Sequence, residues 1–288
     1  MAKFPVTQEL VEHLVREQFP EWASLKVKPV KTSGWDNYTY HLGPKMLIRL
    51  PSEHCYANQV IKESTWLPYI KKHLKTKVPI PLGLGSASKE YPFQWAVYEW
   101  IDGKTLSTKS LQSSNTIAYE VAHFLNELSK VPVEKEFPVS GEENFFRGGL
   151  LEHYDAEARQ GIALLPSEFD QNQLIEIWDR AVNTPININA NWVHGDMSPD
   201  NILVNELGHL EAVIDFGLMC VGDPACDYVL AWTYFDSRAQ QLFIETLKQD
   251  INTWNRAKGW ALWKAVISLV QKNQSGEHEK TIRKLLNN

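Results

Sequence analysis

Along the first hundred residues the spacing of apolar positions changes repeatedly. Leu10, Val11, Leu14 and Val15 recur at helical spacing behind Thr7, a residue able to cap a helix. The runs LKVKPVKTS, TYHLG and KMLIRLP then read as strands. Gly34, Asp36 and Asn37, and later Gly43-Pro44, separate them, which predicts an antiparallel meander. Val60, Leu67, Ile70 and Leu74 return to helical spacing and predict a helix over residues 58–74. Strand-like runs around PLGLGSA and FQWAVYEW complete a small sheet. The segment EWIDG, Glu99 to Gly103, breaks the pattern, and most of the chain beyond it is helical. One hairpin interrupts the helices. Trp192 and Val193 enter, Ile202 to Val204 leave, Glu206 to His209 turn, and Leu210 to Ile214 return. The expectation is an α+β chain of two lobes. Residues 1–98 form a small antiparallel sheet lobe, 99–103 a connector, and 104–288 a larger, mainly helical lobe.

Composition narrows the function classes. The chain has 288 residues, 43% of them hydrophobic, enough for a sizeable core. A formal net charge of −6 argues against nucleic acid as a partner, because such proteins usually present a basic face. The charge is uneven. Met1–Asp102 holds 13 Lys and Arg against 10 Asp and Glu, net +3, while the remainder holds 16 against 25, net −9. That asymmetry fits one half handling an anion and the other a cation; it also fits an uneven solvated surface. The first residues hold no apolar run of signal-peptide length, and no stretch of about 18 apolar residues occurs, so a cytoplasmic chain without a membrane partner is expected. Cys55, Cys220 and Cys226, without a CxxC pair, suit a reducing compartment and no structural zinc. All three are expected to be buried small apolar residues. The oligomeric state stays open.

The chemistry concentrates in HGDMSPDN, His194 to Asn201, and in VIDFG, which holds Asp215. The hairpin puts Asp196, Asn201 and Asp215 at strand ends on one side. Mg²⁺ takes oxygen ligands and is often held by one or two protein groups together with substrate phosphates, a need that Asn201 and Asp215 fit. Asp196, five residues before the Asn, can face an attacking hydroxyl, and Pro199 stiffens the turn. Turn Asp and Asn are also common without function. The order H-G-D-x-x-P-x-N, then D-F-G, resembles the paired H-R-D-x-x-x-x-N and D-F-G of protein kinases, with Gly195 in place of Arg.

Upstream, Arg49 lies in the otherwise apolar MLIRLP, and Glu63 lies on the apolar face of the predicted helix. A carboxylate there needs a partner, since burying it alone is costly. Arg49 is the candidate, as a phosphate-binding pair or as a structural salt bridge. The loop KTSGWDNYT, with Ser33, Gly34 and Asn37, can cradle phosphates through its backbone N–H groups, or be a plain hairpin turn. If EWIDG is the connector of a kinase-like cleft, as the resemblance to protein kinases implies, the Glu99 carbonyl and the Ile101 N–H would meet a purine.

SGWDN-x-TY at Ser33–Tyr40, LIRLP, YEWIDG, WVHGDMSPDNILV at Trp192–Val204, AVIDFG at Ala212–Gly217 and VGDPACDY at Val221–Tyr228 together resemble the aminoglycoside phosphotransferase family of small-molecule kinases. FFRGGLLEHYDAEARQGI and RAKGWALWKAVI resemble a broad bacterial branch of it. The resemblance implies a protein-kinase-like fold and transfer of the γ-phosphoryl of ATP or GTP to a hydroxyl. It gives Asp196 the hydroxyl and its proton, Asn201 and Asp215 the Mg²⁺, and Arg49 the α/β-phosphates with Glu63 behind it. Asp227 either supports the catalytic turn or caps a helix. The implied partners are a nucleoside triphosphate and a small hydroxylated acceptor. An aminoglycoside antibiotic, and hence resistance, suits the −9 half. Glu142, Glu143, Asp155, Glu157 and Asp223 are candidate carboxylates for it. Trp254, Trp260 and Trp263 suit a macrolide wall or, at helical spacing, plain core. A metabolite alcohol, a non-catalytic nucleotide binder and a metallohydrolase built on His194 are the alternatives. His194 also fits a structural hydrogen-bonding role behind the turn.

Overall fold

A computed structural model describes residues 3–30, 34, 36–133, 136–186, 191–271 and 276–287. The described chain divides into two compact units, Met1–Gly103 with Ala212–Leu218, and Lys104–Glu211 with Met219–Asn288.

In the first unit, α1 (Gln8–Gln18) starts where Thr7 Oγ1 accepts the Leu10 N–H. The sheet consists of β1 (Val27–Pro29), β2 (Asn37–Leu42), β3 (Met46–Pro51), β4 (Pro81–Gly85) and β5 (Trp95–Glu99). Their order is β1-β2-β3-β5-β4, and the neighbours are antiparallel. β5 therefore inserts beside β3, and α2 (Ala57–Ile70) occupies the chain between β3 and β4. Strand pleating sends alternate side chains to opposite faces. Ile48 and Leu50 of β3, with Trp95 and Val97 of β5, join Val11, Leu14 and Val15 of α1 in one apolar cluster. Arg49 and Tyr98, one residue out of phase, point to the opposite face. The predicted helix ends four residues early, at Ile70, where one 3-10 turn succeeds it. Of the predicted first strand only Val27–Pro29 forms, and Lys31–Ser33 lie outside the described residues. Ala212–Leu218 joins this unit through a parallel bridge between Lys77 and Ala212, with the Val213 N–H donating to the Lys77 carbonyl at 3.1 Å. Cys55 is exposed, unlike the expectation, because it lies on a short 3-10 turn before α2; Cys220 and Cys226 are buried.

The second unit is mainly helical. β6 (Lys104–Thr105), α3 (Asn115–Leu128), α4 (Asp155–Ala163), α5 (Gln171–Asn183), β7 (Asn191–Val193) and β8 (Ile202–Val204) come first. β9 (Leu210–Val213) then carries the chain into the first unit, and β10 (Cys220–Gly222) comes after its return. α6 (Leu230–Thr233), α7 (Ser237–Leu247), α8 (Ile251–Val270) and α9 (Gly276–Leu286) complete it. Ser114, Asp170, Asp236 and Asp250 cap α3, α5, α7 and α8 with side-chain oxygens. α8 is apolar nearly all round, which suits a buried helix, and it packs against α4, α5 and α9. Trp254, Trp260 and Trp263 are all buried in it.

β7 pairs antiparallel with β10, Val193 opposite Cys220. The pairing carries the short 3-10 turn Pro224–Asp227 back to the segment after β7. Asp227 is buried there and accepts the N–H groups of His194 at 2.6 Å and Gly195 at 2.8 Å. Asp223, not Asp227, caps that 3-10 turn, accepting from Ala225 N. Asp223 is itself buried against Arg256 of α8, with Nε to Oδ2 at 2.6 Å and Nη2 to Oδ1 at 3.0 Å. The turn after β7 thus hangs from α8 through two buried carboxylates.

An Asp227→Asn substitution keeps one carbonyl acceptor but turns an NH₂ toward the second backbone N–H. We expect it to destabilise the protein by about 1–3 kcal/mol, read from denaturant unfolding, with faster exchange of the Gly195 amide. Gly259 of α8 faces α5 so closely that a Cβ would lie 2.5 Å from Ala181 Cβ and 2.8 Å from Leu151 Cδ1. Gly259→Ala should cost about 1–3 kcal/mol by overpacking. Unchanged thermal unfolding would contradict that close approach.

Candidate active site

The candidate residues fall into two groups of side chains, one in each unit. In the first, Arg49 Nη1 bonds both Glu63 oxygens at 2.9 and 3.0 Å, and its Nη2 bonds Asp215 Oδ1 at 2.6 Å. Glu63 is fully buried, and Tyr98 Oη donates to its Oε2 at 2.6 Å. The pleat explains the meeting, since Arg49 and Tyr98 share one sheet face and α2 lays Glu63 upon it. Burial works against the Arg49 cation, but Asp215 and Glu63 outweigh it and raise its affinity for the proton. Burial first, then Glu63, pushes the Tyr98 hydroxyl well above its ordinary value, so it stays a neutral donor. Tyr98 reads as packing in the sequence, and nothing in its spacing foretells the bond to Glu63.

Asp215 has φ +64°, a left-handed conformation that costs a non-glycine residue roughly 1–2 kcal/mol, though Asp tolerates it better than most. Buried Phe216 comes next and Arg49 holds the Asp215 carboxylate, so the surroundings sustain the strain. Its side chain remains 40% exposed. Ser33 lies outside the described residues. Gly34 is exposed, with open space where a Cβ would stand. Asn37 is buried at the start of β2, opposite Pro51. Glu99 ends β5, exposed, and Ile101 lies two residues later outside any strand.

In the second unit the turn after β7 holds Asp196. Gly195 has φ +83°, which glycine adopts without penalty; this explains a glycine where protein kinases carry Arg. His194 is buried, and its Nδ1 accepts the Asp196 N–H at 3.2 Å. Asn201 Nδ2 donates to the Asp196 carbonyl at 2.9 Å and to its Oδ2 at 3.3 Å, leaving the Asn201 amide oxygen as an acceptor. Lys264 of α8 reaches Asp196 Oδ1 at 3.3 Å. Burial raises the Asp196 carboxyl, but Lys264, Arg147 and His194 outweigh it and hold the group below the ordinary carboxylate value. Asp196 is therefore an ionised acceptor at neutral pH. Asp227, buried behind the turn, is pushed up by burial against the pull of His194 and the two backbone donors.

Lys264 and Arg147 escape a reading of the sequence alone. Arg256, Trp260 and Lys264 recur every four residues, so α8 presents them on one face, a pattern that the surrounding apolar residues mask. Arg147 sits on FFRGG, and its guanidinium lies 4.3 Å from the Trp263 ring centre. The carboxylates considered for a polycationic acceptor are mostly engaged with other groups. Asp223 pairs with Arg256, Asp155 with Arg159 and the Trp178 indole N–H, and Glu157 with the Trp263 indole N–H. Glu142 and Glu143 are exposed on a 3-10 turn. Among the described residues no three His, Cys, Asp or Glu side chains gather as a metal site, and no helix is long and apolar enough to cross a membrane.

No curated protein is significantly similar to the chain in sequence. Solved structures are similar in fold. A GDP complex of aminoglycoside 2'-phosphotransferase-IIIa is 18% identical, with 98% of each chain covered and a TM-score of 0.71. A streptomycin–ATP ternary complex of APH(2")-IIa is 16% identical, with 99% of this chain and 97% of that one covered and a TM-score of 0.62. The macrolide 2'-phosphotransferase MphH of Brachybacterium faecium is also 16% identical, with 97% and 98% covered and a TM-score of 0.61. A small antiparallel sheet lobe and a larger helical lobe make this the kinase-like fold of those enzymes. Residues 26–260 match the phosphotransferase enzyme family across most of the chain, and the protein belongs to that family.

Proposed function

We propose that the protein transfers the γ-phosphoryl group of a nucleoside triphosphate, ATP or GTP, to the hydroxyl of a small molecule. The observation that carries this reading is Asp196. It sits on a turn shaped by Gly195, fastened from behind by Asp227 and steadied by Asn201, and neighbouring cations keep it ionised. Such a carboxylate can orient a hydroxyl and accept its proton as the oxygen attacks phosphorus. The bond from the γ-phosphorus to the β–γ bridging oxygen breaks, and the nucleoside diphosphate leaves with that electron pair.

Arg49 is assigned to the α/β-phosphates, with Glu63 and Tyr98 fixing its position. Its second nitrogen, now on Asp215, can turn to a phosphate oxygen in the same fork. Ser33, Gly34 and Asn37 are assigned to the phosphate loop, and the backbone of Glu99 and Ile101 to the purine. Asn201 and Asp215 are assigned to Mg²⁺. Each has an oxygen outside the bonds described, the Asn201 amide oxygen and the second Asp215 carboxylate oxygen, and each such oxygen suits a hard cation that takes other ligands from phosphate and water. When bound, the ion neutralises charge on the phosphoryl oxygens.

The net −9 of the larger half favours an aminoglycoside, as in several proteins of this fold, and the buried tryptophans favour a macrolide. Against an aminoglycoside, most of the candidate carboxylates already have partners, and the charged side chains beside Asp196 are Lys264 and Arg147. The reading therefore stays at a small-molecule alcohol, with aminoglycosides as one arm of the test. That test incubates the protein with Mg²⁺ and ATP or GTP against aminoglycosides, macrolides and metabolite alcohols, and looks for products heavier by one phosphoryl group. Failure to turn over any nucleoside triphosphate would leave a non-catalytic binder.

Asp196→Ala should lower transfer by about 10²–10⁴-fold while nucleotide affinity, measured by titration calorimetry, stays near that of the wild type. Near-normal turnover would remove Asp196 from the role of base. Asp215→Ala should instead weaken nucleotide binding in the presence of Mg²⁺ and leave the Mg²⁺-free affinity little changed. Chelation by EDTA should stop turnover, and added Mg²⁺ should restore it.

A further inference from the structure

The surroundings of Asp196 are cationic, and this bears on the acceptor. Arg147, Asp196, Trp260 and Lys264 line one depression, together with Met197 and Cys226. Arg147 stacks over Trp263 and lies 5.8 Å from the Trp260 ring centre and 5.9 Å from that of Tyr154. Aromatic faces hold a guanidinium in place without neutralising it. Among the described residues no carboxylate lies within ion-pair distance of Arg147, whose influence on Asp196 acts at longer range, and its Nε is buried without a hydrogen bond. The indole Nε1 of Trp260, a residue 1% exposed, is likewise a buried donor without a partner. Buried donors are almost always satisfied in folded proteins, so two together beside a carboxylate suit a ligand that accepts hydrogen bonds.

The backbone that presents Arg147 is costly. Phe145 at φ +52° and Phe146 at φ +55° are left-handed without being glycine, and Gly148 has φ +70°. Buried Asn144 clamps the segment, accepting the Gly141 N–H at 2.9 Å and donating to the Arg147 carbonyl at 3.0 Å. The Asp223 N–H adds a bond to the Gly148 carbonyl at 2.7 Å. Strain so firmly held clusters at ligand clamps. With Lys264 resting on Asp196, the free space is about 10 Å³, room for one water. An acceptor must therefore displace the Lys264 ammonium, and an acceptor with its own negative group gives that ammonium a new partner.

We propose that the acceptor is a small alcohol bearing a carboxylate or phosphate group, and that Arg147 and Lys264 bind this anion while Asp196 faces the hydroxyl. The proposal rests on the phosphotransferase reading and narrows its substrate class. The anion itself does not react. The hydroxyl oxygen forms the new bond to the γ-phosphorus, its proton goes to Asp196, and the nucleoside diphosphate leaves.

The experiment compares matched acceptors with ATP and Mg²⁺, scoring phosphorylated product by mass: glucose against glucose 6-phosphate, glycerol against glycerate, and kanamycin. Binding of glucose 6-phosphate and glycerate is monitored in parallel by tryptophan fluorescence without nucleotide, which does not depend on turnover. The anionic member of a pair should be the better substrate and should bind more tightly by at least tenfold. Arg147→Gln should raise KM and Kd for anionic acceptors by on the order of ten- to hundredfold with a smaller change in kcat, and Arg147→Lys should recover part of the loss. Arg147→Glu should reverse the preference toward kanamycin, a gain that misfolding does not produce. If the two cations serve only Asp196 or the phosphoryl group in flight, Arg147→Gln and Lys264→Gln will lower kcat for all acceptors alike with KM unmoved, which overturns the proposal. Preference for glucose, glycerol or kanamycin in the wild type also overturns it. Absence of anion binding in the fluorescence titration refutes it even where turnover is seen. Absence of all nucleotide turnover alongside tight anion binding instead refutes the phosphotransferase reading and leaves the anion site standing.

Discussion

A charge taken out of water has to find its opposite, and in each unit of this protein the candidate site residues are arranged by that requirement. Glu63 is fully buried on a helix face that otherwise carries apolar side chains. It is tolerable there only because Arg49 and the Tyr98 hydroxyl meet it. Arg49 in turn is shared with Asp215. In the helical unit Asp223 meets Arg256, and Asp227 takes two backbone N–H groups. Strand, helix and turn are tied to one another at these points, so the site residues are held by bonds that break only at high cost.

The partly exposed members of the same networks are the ones suited to change partners. Asp215 and Asp196 keep 40% and 36% of their side-chain surface, and each touches a cation. Their buried supports, Glu63 and Asp227, keep almost none. A network with an inner end fixed by burial and an outer end open to exchange is a preorganised site, because little reorganisation remains when a ligand replaces the resident cation. The same distribution explains the strain at Asp215 and around Arg147. Left-handed backbone persists where several buried bonds overdetermine it.

Much of this was legible from residue order. The change from period 3.6 to period 2 located α1, α2 and the sheet strands, because core-facing side chains must alternate in that way to leave water. Arg49 and Glu63 stood out as charges in apolar patterns, and burial is what makes such charges conspicuous. The segments HGDMSPDN and VIDFG stand out because they gather oxygen-bearing side chains on tight turns between apolar strands, and the proposed chemistry rests on them. The exposure of Cys55 is not legible in residue order because a thiol carries no period of its own. Tyr98, Arg147 and Lys264 escape residue order for a related reason. Each lies in a stretch whose apolar pattern is already accounted for by packing.

Residue order alone therefore settled the α+β class, the succession of the elements, and the residue types open to a phosphotransferase. Those depend on local periodicity and on the chemistry of single side chains, which the chain carries in one dimension. Folding in three dimensions was needed to establish that Asp227 grips the turn rather than capping a helix, that the acidic residues of the larger half are mostly engaged, and that Asp196 is ringed by cations. Those facts join residues as far apart as Arg147, Asp196 and Lys264. Their separation along the chain has no bearing on the Coulomb energy between them, which depends on distance in space and on the medium around them.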